Sequence, residues 1–274
     1  MKLLRFMKTN AFLLILTLFL FISCSENETN LLQKTLPDSE IQMAIMTDGL
    51  SADVNSIVEQ DEIDGRYASK GESNSSTCAT RTVTTTDTGK LVVLDFGDGC
   101  TGDNGKEYAG KINIAYTRAI TGYSKKVMFD GFTINGNLFA GTKSIVWLKE
   151  NANKNPESTI TKDVTITLKG GEILVRKGVK IREKIAGKDT RRRGDDVYLI
   201  SGNWQSINRN GVVRKATIKT KLRREYVCRF VVSGVIEISR DGVKATVDFG
   251  DGSCDDKAEV TDANGETKEI SLGR

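Results

Sequence analysis

Leu94-Asp95-Phe96-Gly97-Asp98-Gly99-Cys100 returns near the C-terminus as Val247-Asp248-Phe249-Gly250-Asp251-Gly252-Ser253-Cys254. In each copy an alternating run leads into the corner. Val92, Leu94 and Phe96 share one face, as do Val243, Ala245, Val247 and Phe249, so Asp95 and Asp248 point the other way. Gly97 with Gly99, and Gly250 with Gly252, permit the positive-φ backbone of a tight corner or bulge. Asp98 and Asp251 can accept hydrogen bonds from nearby backbone N–H groups, as Asx turns do. A cysteine closes each copy and another stands upstream, Cys78 or Cys228. Four cysteines allow three pairings. The repetition selects Cys78–Cys100 and Cys228–Cys254, one staple for each of two related units at about 78–116 and 226–273. Four free buried thiols are the competing reading, and an oxidising compartment argues against them.

Outward from the corners the chain reads as strand after strand. Thr80 to Thr86, Lys90 to Phe96, Ile112 to Tyr116, Val127 to Ile134 and Ser144 to Leu148 come first. Val164 to Leu168, Ile173 to Ile185, Tyr198 to Trp204, Val212 to Leu222, Val227 to Ser239 and Val243 to Phe249 follow. Asn104-Gly105, Asn135-Gly136, Asn210-Gly211, Asp241-Gly242 and Asn264-Gly265 mark the reversals. Turns this short imply antiparallel neighbours. One helical stripe precedes them: Ile41, Ala44, Ile45, Leu50, Val54, Ile57 and Val58, capped by Asp38 or Ser39, with Asp48-Gly49 as a break between two short helices. Residues 61–77 read as a loop. The expected fold is mainly β: an antiparallel meander forming a large curved sheet or a sandwich, with one or two short N-terminal helices, in a single β-rich domain over 39–274.

Residues 1–23 carry Lys2, Arg5 and Lys8 and then the uncharged apolar run Ala11 to Ile22, the pattern of a signal peptide. The run is shorter than the ~20 residues a spanning helix needs. Phe21-Ile22-Ser23-Cys24 resembles the lipobox of bacterial lipoproteins, which implies cleavage before Cys24 and acylation of that residue. Ordinary secretory cleavage leaving a free thiol is the alternative. Several acyl chains make a stable membrane anchor. Residues 24–38 then form a flexible tether. Ser25-Glu26-Asn27-Glu28 resembles the surface-export signal of Bacteroidota lipoproteins, which implies an outer membrane and a cell-surface location; a plain polar tether also fits.

The chain has 40 Lys and Arg against 36 Asp and Glu. Three of the basic residues fall in 1–23, leaving 37 against 36, so no electrostatic case for nucleic acid remains. There is no histidine, which removes the Ser-His-Asp triad, the Cys-His pair and most catalytic zinc sites. No catalytic residue is expected.

Asp95, Asp98 and Asp103 gather at the first corner, and Asp248, Asp251 and Asp255 at the second. Oxygen-rich, glycine-flanked loops suit calcium. The spacing is not that of an EF-hand, however, since Lys106 takes the twelfth position counted from Asp95, and the same residues serve as turn caps. Asp-Phe-Gly also occurs in the kinase magnesium motif, but no Gly-rich loop or His-Arg-Asp accompanies it here. The polycystic-kidney-type repeat usually has Trp where Leu94 and Val247 stand, and it lacks the cysteines.

The lipobox, Asp-Phe-Gly-Asp-Gly-Cys-Thr before an Asn-Gly hairpin, Ile200-Ser201-Gly202 with Asn208-Arg209-Asn210-Gly211, and the terminal Asp-Phe-Gly-Asp-Gly-Ser-Cys-Asp together resemble a Bacteroidota outer-membrane lipoprotein group of unknown function. The likeness covers most of the chain beyond about residue 78 and implies location and an all-β build, with no activity attached. Arg191 to Arg193 read as a solvated loop balanced by Asp189, Asp195 and Asp196, or as a contact for an anionic partner. Trp147 and Trp204 read as core, or as stacking platforms for a sugar. The expectation is a non-enzymatic, membrane-anchored binding or structural module whose partner is a glycan, lipid or protein. The alternative is a carrier of a lipid or other apolar ligand in a curved sheet closed by the N-terminal helix. A glycosidase-like pair of carboxylates is a third possibility.

Overall fold

The structure is a computed structural model that describes residues 35–67, 78–120, 122–190 and 192–272. The signal segment, Cys24 and most of the tether lie outside the described residues. From Thr35 onward the chain forms one unit. It opens with helix α1 (Asp38–Tyr67) and continues as β1 (Thr80–Thr86), β2 (Gly89–Asp95), β3 (Cys100–Thr101), β4 (Glu107–Ala119), β5 (Gly122–Ile134), β6 (Asn137–Leu148) and β7 (Glu157–Thr167). Then come β8 (Ile173–Ala186), β9 (Val197–Asn208), β10 (Val213–Glu225), β11 (Ser233–Arg240), β12 (Val243–Asp251), β13 (Lys257–Thr261) and β14 (Thr267–Ser271).

All fourteen strands belong to one open antiparallel sheet in which nearly every strand pairs with its neighbours in sequence; only the two-residue β3 stands aside, paired with β4. Of the two arrangements the pattern allowed, the single sheet is the one formed. The turn dipeptides do the ordering, because a two-residue reversal leaves a strand no partner but the preceding one.

Helix α1 lies on one face of this sheet, and its contacts show that the sheet curves. Its Asp61 pairs with Arg81 of β1 at 2.5 Å, while its Asp38 pairs with Lys268 of β14. Those two carboxylates are separated by about 35 Å of helix at 1.5 Å per residue. The strands between them, at about 4.8 Å each, would span about 58 Å if flat. The sheet therefore wraps the helix. Bulges supply part of the bend, notably where β4 and β5 shift register between Ala109 and Lys111. There Gly110 sits at φ +77°, and a Cβ would come within 2.3 Å of the Gly131 carbonyl oxygen.

Three expectations are corrected. Asp48-Gly49 does not break the helix, which runs unbroken for 30 residues and continues through 61–67, a stretch read as loop. The Asp48 side chain is held by sheet cations, so the pair that signals a turn in isolation is overruled by tertiary contact. The run from Val227 is not a strand before Ser233. Its carbonyls turn inward to Arg224, whose guanidinium donates to the Cys228 and Phe230 oxygens, the latter at 2.7 Å. The run Val212 to Leu222, read as one regular strand, is interrupted by register shifts after Thr217, Ile218 and Thr220.

Two apolar clusters fill the space between helix and sheet. The first joins Leu50, Val54, Ile57 and Val58 to the inner face of β2 and β4–β7, around Phe132 and Phe139. The second joins Leu36 and Ile41 to Trp204, Ala216, Ile238, Val247 and Val260.

Candidate ligand-binding face

Between those clusters the inner face changes character. Reading straight across the paired strands, one row runs Val92, Ile114, Val127, Lys143, Lys162, Gly178, Trp204, Ala216, Ile238 and Ala245. It is apolar at both ends and cationic in the middle. Arg176 and Lys180 flank Gly178 on β8, two residues either side, so they share its face. Arg182 continues that column, and Lys125 sits on β5 two residues before Val127. Lys125, Lys143, Lys162, Arg176 and Arg182 are all buried, Arg176 with 1% of its surface exposed. Gly178 brings β8 and β9 close together: a Cβ there would lie 2.4 Å from the Trp204 Cβ. Trp204 fills that space, and the Lys180 ammonium sits 3.7 Å from the centre of its ring.

The helix faces this strip with a polar stripe at Glu40, Asp48, Asn55 and Glu59. Spacings of eight, seven and four residues keep these positions on one side of an α-helix. Asp48 accepts from Arg176 at 2.7 Å and from Lys180 at 3.3 Å. Asn55 accepts from Lys143. Glu59 accepts from Arg182, from the Tyr226 hydroxyl and, at 2.9 Å, from Arg193. Glu40 accepts from Arg240 and, at 2.8 Å, from Arg214.

These charges disturb one another's protonation. Burial raises Asp48, but Arg176, Lys180 and Lys162 outweigh it and hold the carboxyl below its usual range. Glu59 is likewise raised by burial and then carried down to about 2 by Arg182 and Arg193. Burial pushes Lys143 down to about 7, with Glu59 opposing. Burial also drives Lys162 well below its usual value, helped by Lys180 and Arg176. The Arg176 Nε and Nη1 are buried without a hydrogen-bond partner. A cavity of about 20 Å³ between helix and sheet, lined in part by Met43, Thr47, Leu174 and Trp204, is the room present beside the strip.

The corners behave as architecture. Cys78 lies at bonding distance from Cys100, and Cys228 from Cys254, with Cα separations of 6.0 and 5.2 Å. Gly97, Gly99, Gly250 and Gly252 all have positive φ. Phe96 and Phe249 are buried beneath. The Asx cap of the first corner falls to Asp95 rather than Asp98: it accepts the Gly97 N–H at 2.9 Å and pairs with Lys111 at 2.7 Å. Asp248 accepts the Gly250 N–H at 2.9 Å, and Asp251 caps Ser253 through both its N–H and its hydroxyl. Asp255 accepts the Lys257 N–H at 3.0 Å. Asp98 and Asp103 are exposed. Among the described residues no group of three or more cysteine or carboxylate side chains is gathered as a cation would need.

Of the basic loop, Arg191 lies outside the described residues, Arg192 is exposed and Arg193 is held against the body. Arg193 reaches Glu59 and covers the Tyr226 ring at 4.2 Å, while Asp196 pairs with Lys184 at 2.6 Å. Trp204 is buried; Trp147 is half-buried and stacks on Tyr123 at 5.2 Å. On the outer face, Asn153 and Asn155 donate to Glu183 at 2.8 and 3.0 Å and help hold its carboxyl down at about 2.

The buried cation strip escaped the sequence reading. Part of its signal was present: Lys162 takes an inward position within a run whose other inward members are apolar, Ile160-x-Lys162-x-Val164-x-Ile166. No protein-family model matches the chain, and neither the curated proteins nor the solved structures contain a match.

Proposed function

We propose that this chain is a non-enzymatic binding module, anchored to the outer membrane through acylated Cys24 and displayed at the cell surface, whose binding surface is the inner face of the sheet and whose cover is α1. The observation that carries this reading is the strip of buried Lys143, Lys162, Arg176 and Arg182 with half-buried Lys180, which among the described residues meets Asp48, Asn55 and Glu59 of the helix. Burying charge without full compensation costs folding free energy, so a structural role accounts poorly for it. Recognition accounts for it better. The lipobox-like Cys24, the acidic residues behind it and the likeness to Bacteroidota lipoproteins support the location.

A preformed carrier of apolar ligands is less well supported, because the cavity found between the first turns of the helix and the sheet is about 20 Å³. The location is tested by expressing Cys24→Ser, which should move the protein from the membrane to the soluble fraction. Protease treatment of intact cells should then remove the wild-type protein. Protection in intact cells with loss after lysis would rule out surface display.

A further inference from the structure

We infer that the cation strip is a receptor for the phosphate head group of an amphiphile, and that α1 occupies it as an internal surrogate which the ligand displaces. The inference rests on the reading of the inner face as the binding surface. Three observations carry it. First, the Arg176 Nε and Nη1 are buried and unpaired, although Nη2 binds Asp48. A guanidinium is a rigid fork suited to bidentate oxyanions, so one satisfied arm leaves the remaining donors available to a group with more oxygens than Asp48 provides. Secondly, Lys162 lies directly across from Lys143, with Arg176 and Lys180 diagonal to it. Four basic side chains thus converge on one patch that, among the described residues, is contacted by the Asp48 carboxylate and the neutral Asn55 amide, with Glu59 acting on Lys143 from further away. A phosphate would bring more negative charge and more acceptor oxygens to the same place.

Thirdly, the strip is bordered on both sides by apolar surface: Val92, Ile114 and Val127 along the row in one direction, Trp204, Ala216 and Ile238 in the other. The sheet therefore presents apolar, cationic and apolar zones in sequence. Helix α1 carries the complementary series, with Ile41 before Asp48 and with Val54, Ile57 and Val58 around Asn55 and Glu59. An amphiphile with a phosphate head and acyl chains matches that series, whereas free phosphate engages only its centre. The room beside the strip is too small for such a ligand, so binding and helix departure are coupled.

The test uses the full chain with three probes: dihexanoyl phosphatidic acid, dihexanoyl phosphatidylcholine and inorganic phosphate. Calorimetry reads affinity, and hydrogen exchange reads the α1 amides against those of β5–β8. Phosphatidic acid should bind at least tenfold more tightly than either other probe and should speed exchange of α1 alone. Lys162→Met should weaken phosphatidic acid at least tenfold while melting no lower than wild type. Equal binding of phosphatidylcholine would overturn the role of the anionic head, and equal binding of phosphate would overturn the role of the flanks. Unchanged affinity in Lys162→Met would overturn the site itself. If phosphatidic acid fails while unliganded α1 opens independently of the sheet, the amphiphile is rejected and the covered face survives. If α1 exchanges only when the whole sheet unfolds, the covered-face reading falls as well.

Discussion

The flanks of the inner face and its middle are built by the same strands, yet they follow opposite physical rules. On the first flank Phe132 is fully buried and its ring lies 5.3 Å from Phe96, 5.9 Å from Phe129 and 5.9 Å from Phe139. Every contact there is apolar, and burial stabilises by about 25 cal/mol per Å². In the middle, positions that continue the same alternation hold Lys143, Lys162, Arg176 and Lys180, and the helix answers with carboxylates. The Coulombic gain between such groups competes with the cost of removing them from water. The flanks hold the helix on the sheet, and the middle contributes less to that hold.

The comparison can be broken most forcefully at the flank. Phe132→Ala should cost about 3–5 kcal/mol in denaturant-induced unfolding, since a ring enclosed by rings leaves a cavity that cannot collapse. A loss below 1 kcal/mol would show that the flank is not the structural half. Replacing both Cys78 and Cys100 by Ser should cost about 3 kcal/mol on the chain-entropy model, given a separation of 22 residues. An unchanged melt in the double variant would show that the corner stands without its staple.

In the middle, Glu59→Gln leaves Arg182 and Arg193 without their counter-charge. About a quarter of the Glu59 side chain is exposed, at 23%, so solvent moderates the loss to about 2–3 kcal/mol. Hydrogen exchange should place the loosening in α1 first. The pH profile gives the most gradual effect. Lys143 is held at about 7 in the folded protein against 10.5 when free. Between those values the unfolded chain binds the extra proton, so stability rises as pH increases from about 7 towards 10, by at most about 1.4 kcal/mol per pH unit per group. Chemical denaturation at pH 7, 8 and 9 should show this rise, and Lys143→Met should flatten it. A flat profile in the wild type would mean that the charge on Lys143 is fully compensated, and a falling one that folding raises its pKa.

Much of the fold could be read from residues. The turn dipeptides and period-two runs specify a meander because each encodes a local geometry, and the doubled corner located both cysteine pairs through its own symmetry. The apolar stripe of α1 was equally visible. Its unbroken length was not, because the Asp48-Gly49 signal is local while the forces that override it come from Arg176 and Lys180, more than 120 positions along the chain. The cationic middle of the inner face was hidden for the same reason. A lysine such as Lys162 reads as an exposed residue until the register sets it opposite Lys143 and under a helix. Only then do Asp48, Asn55 and Glu59 become one stripe with a partner.

The central claim is that the middle of the inner face is maintained at the expense of stability, and the unfolding free energy of Lys162→Met tests it most directly. Methionine keeps the volume and removes a buried amine whose charged form is disfavoured by burial and by Lys180, Arg176 and Lys143. The account predicts a variant more stable than wild type by about 1–3 kcal/mol at pH 7. A variant less stable by 1 kcal/mol or more would make the strip part of the scaffold and contradict the account.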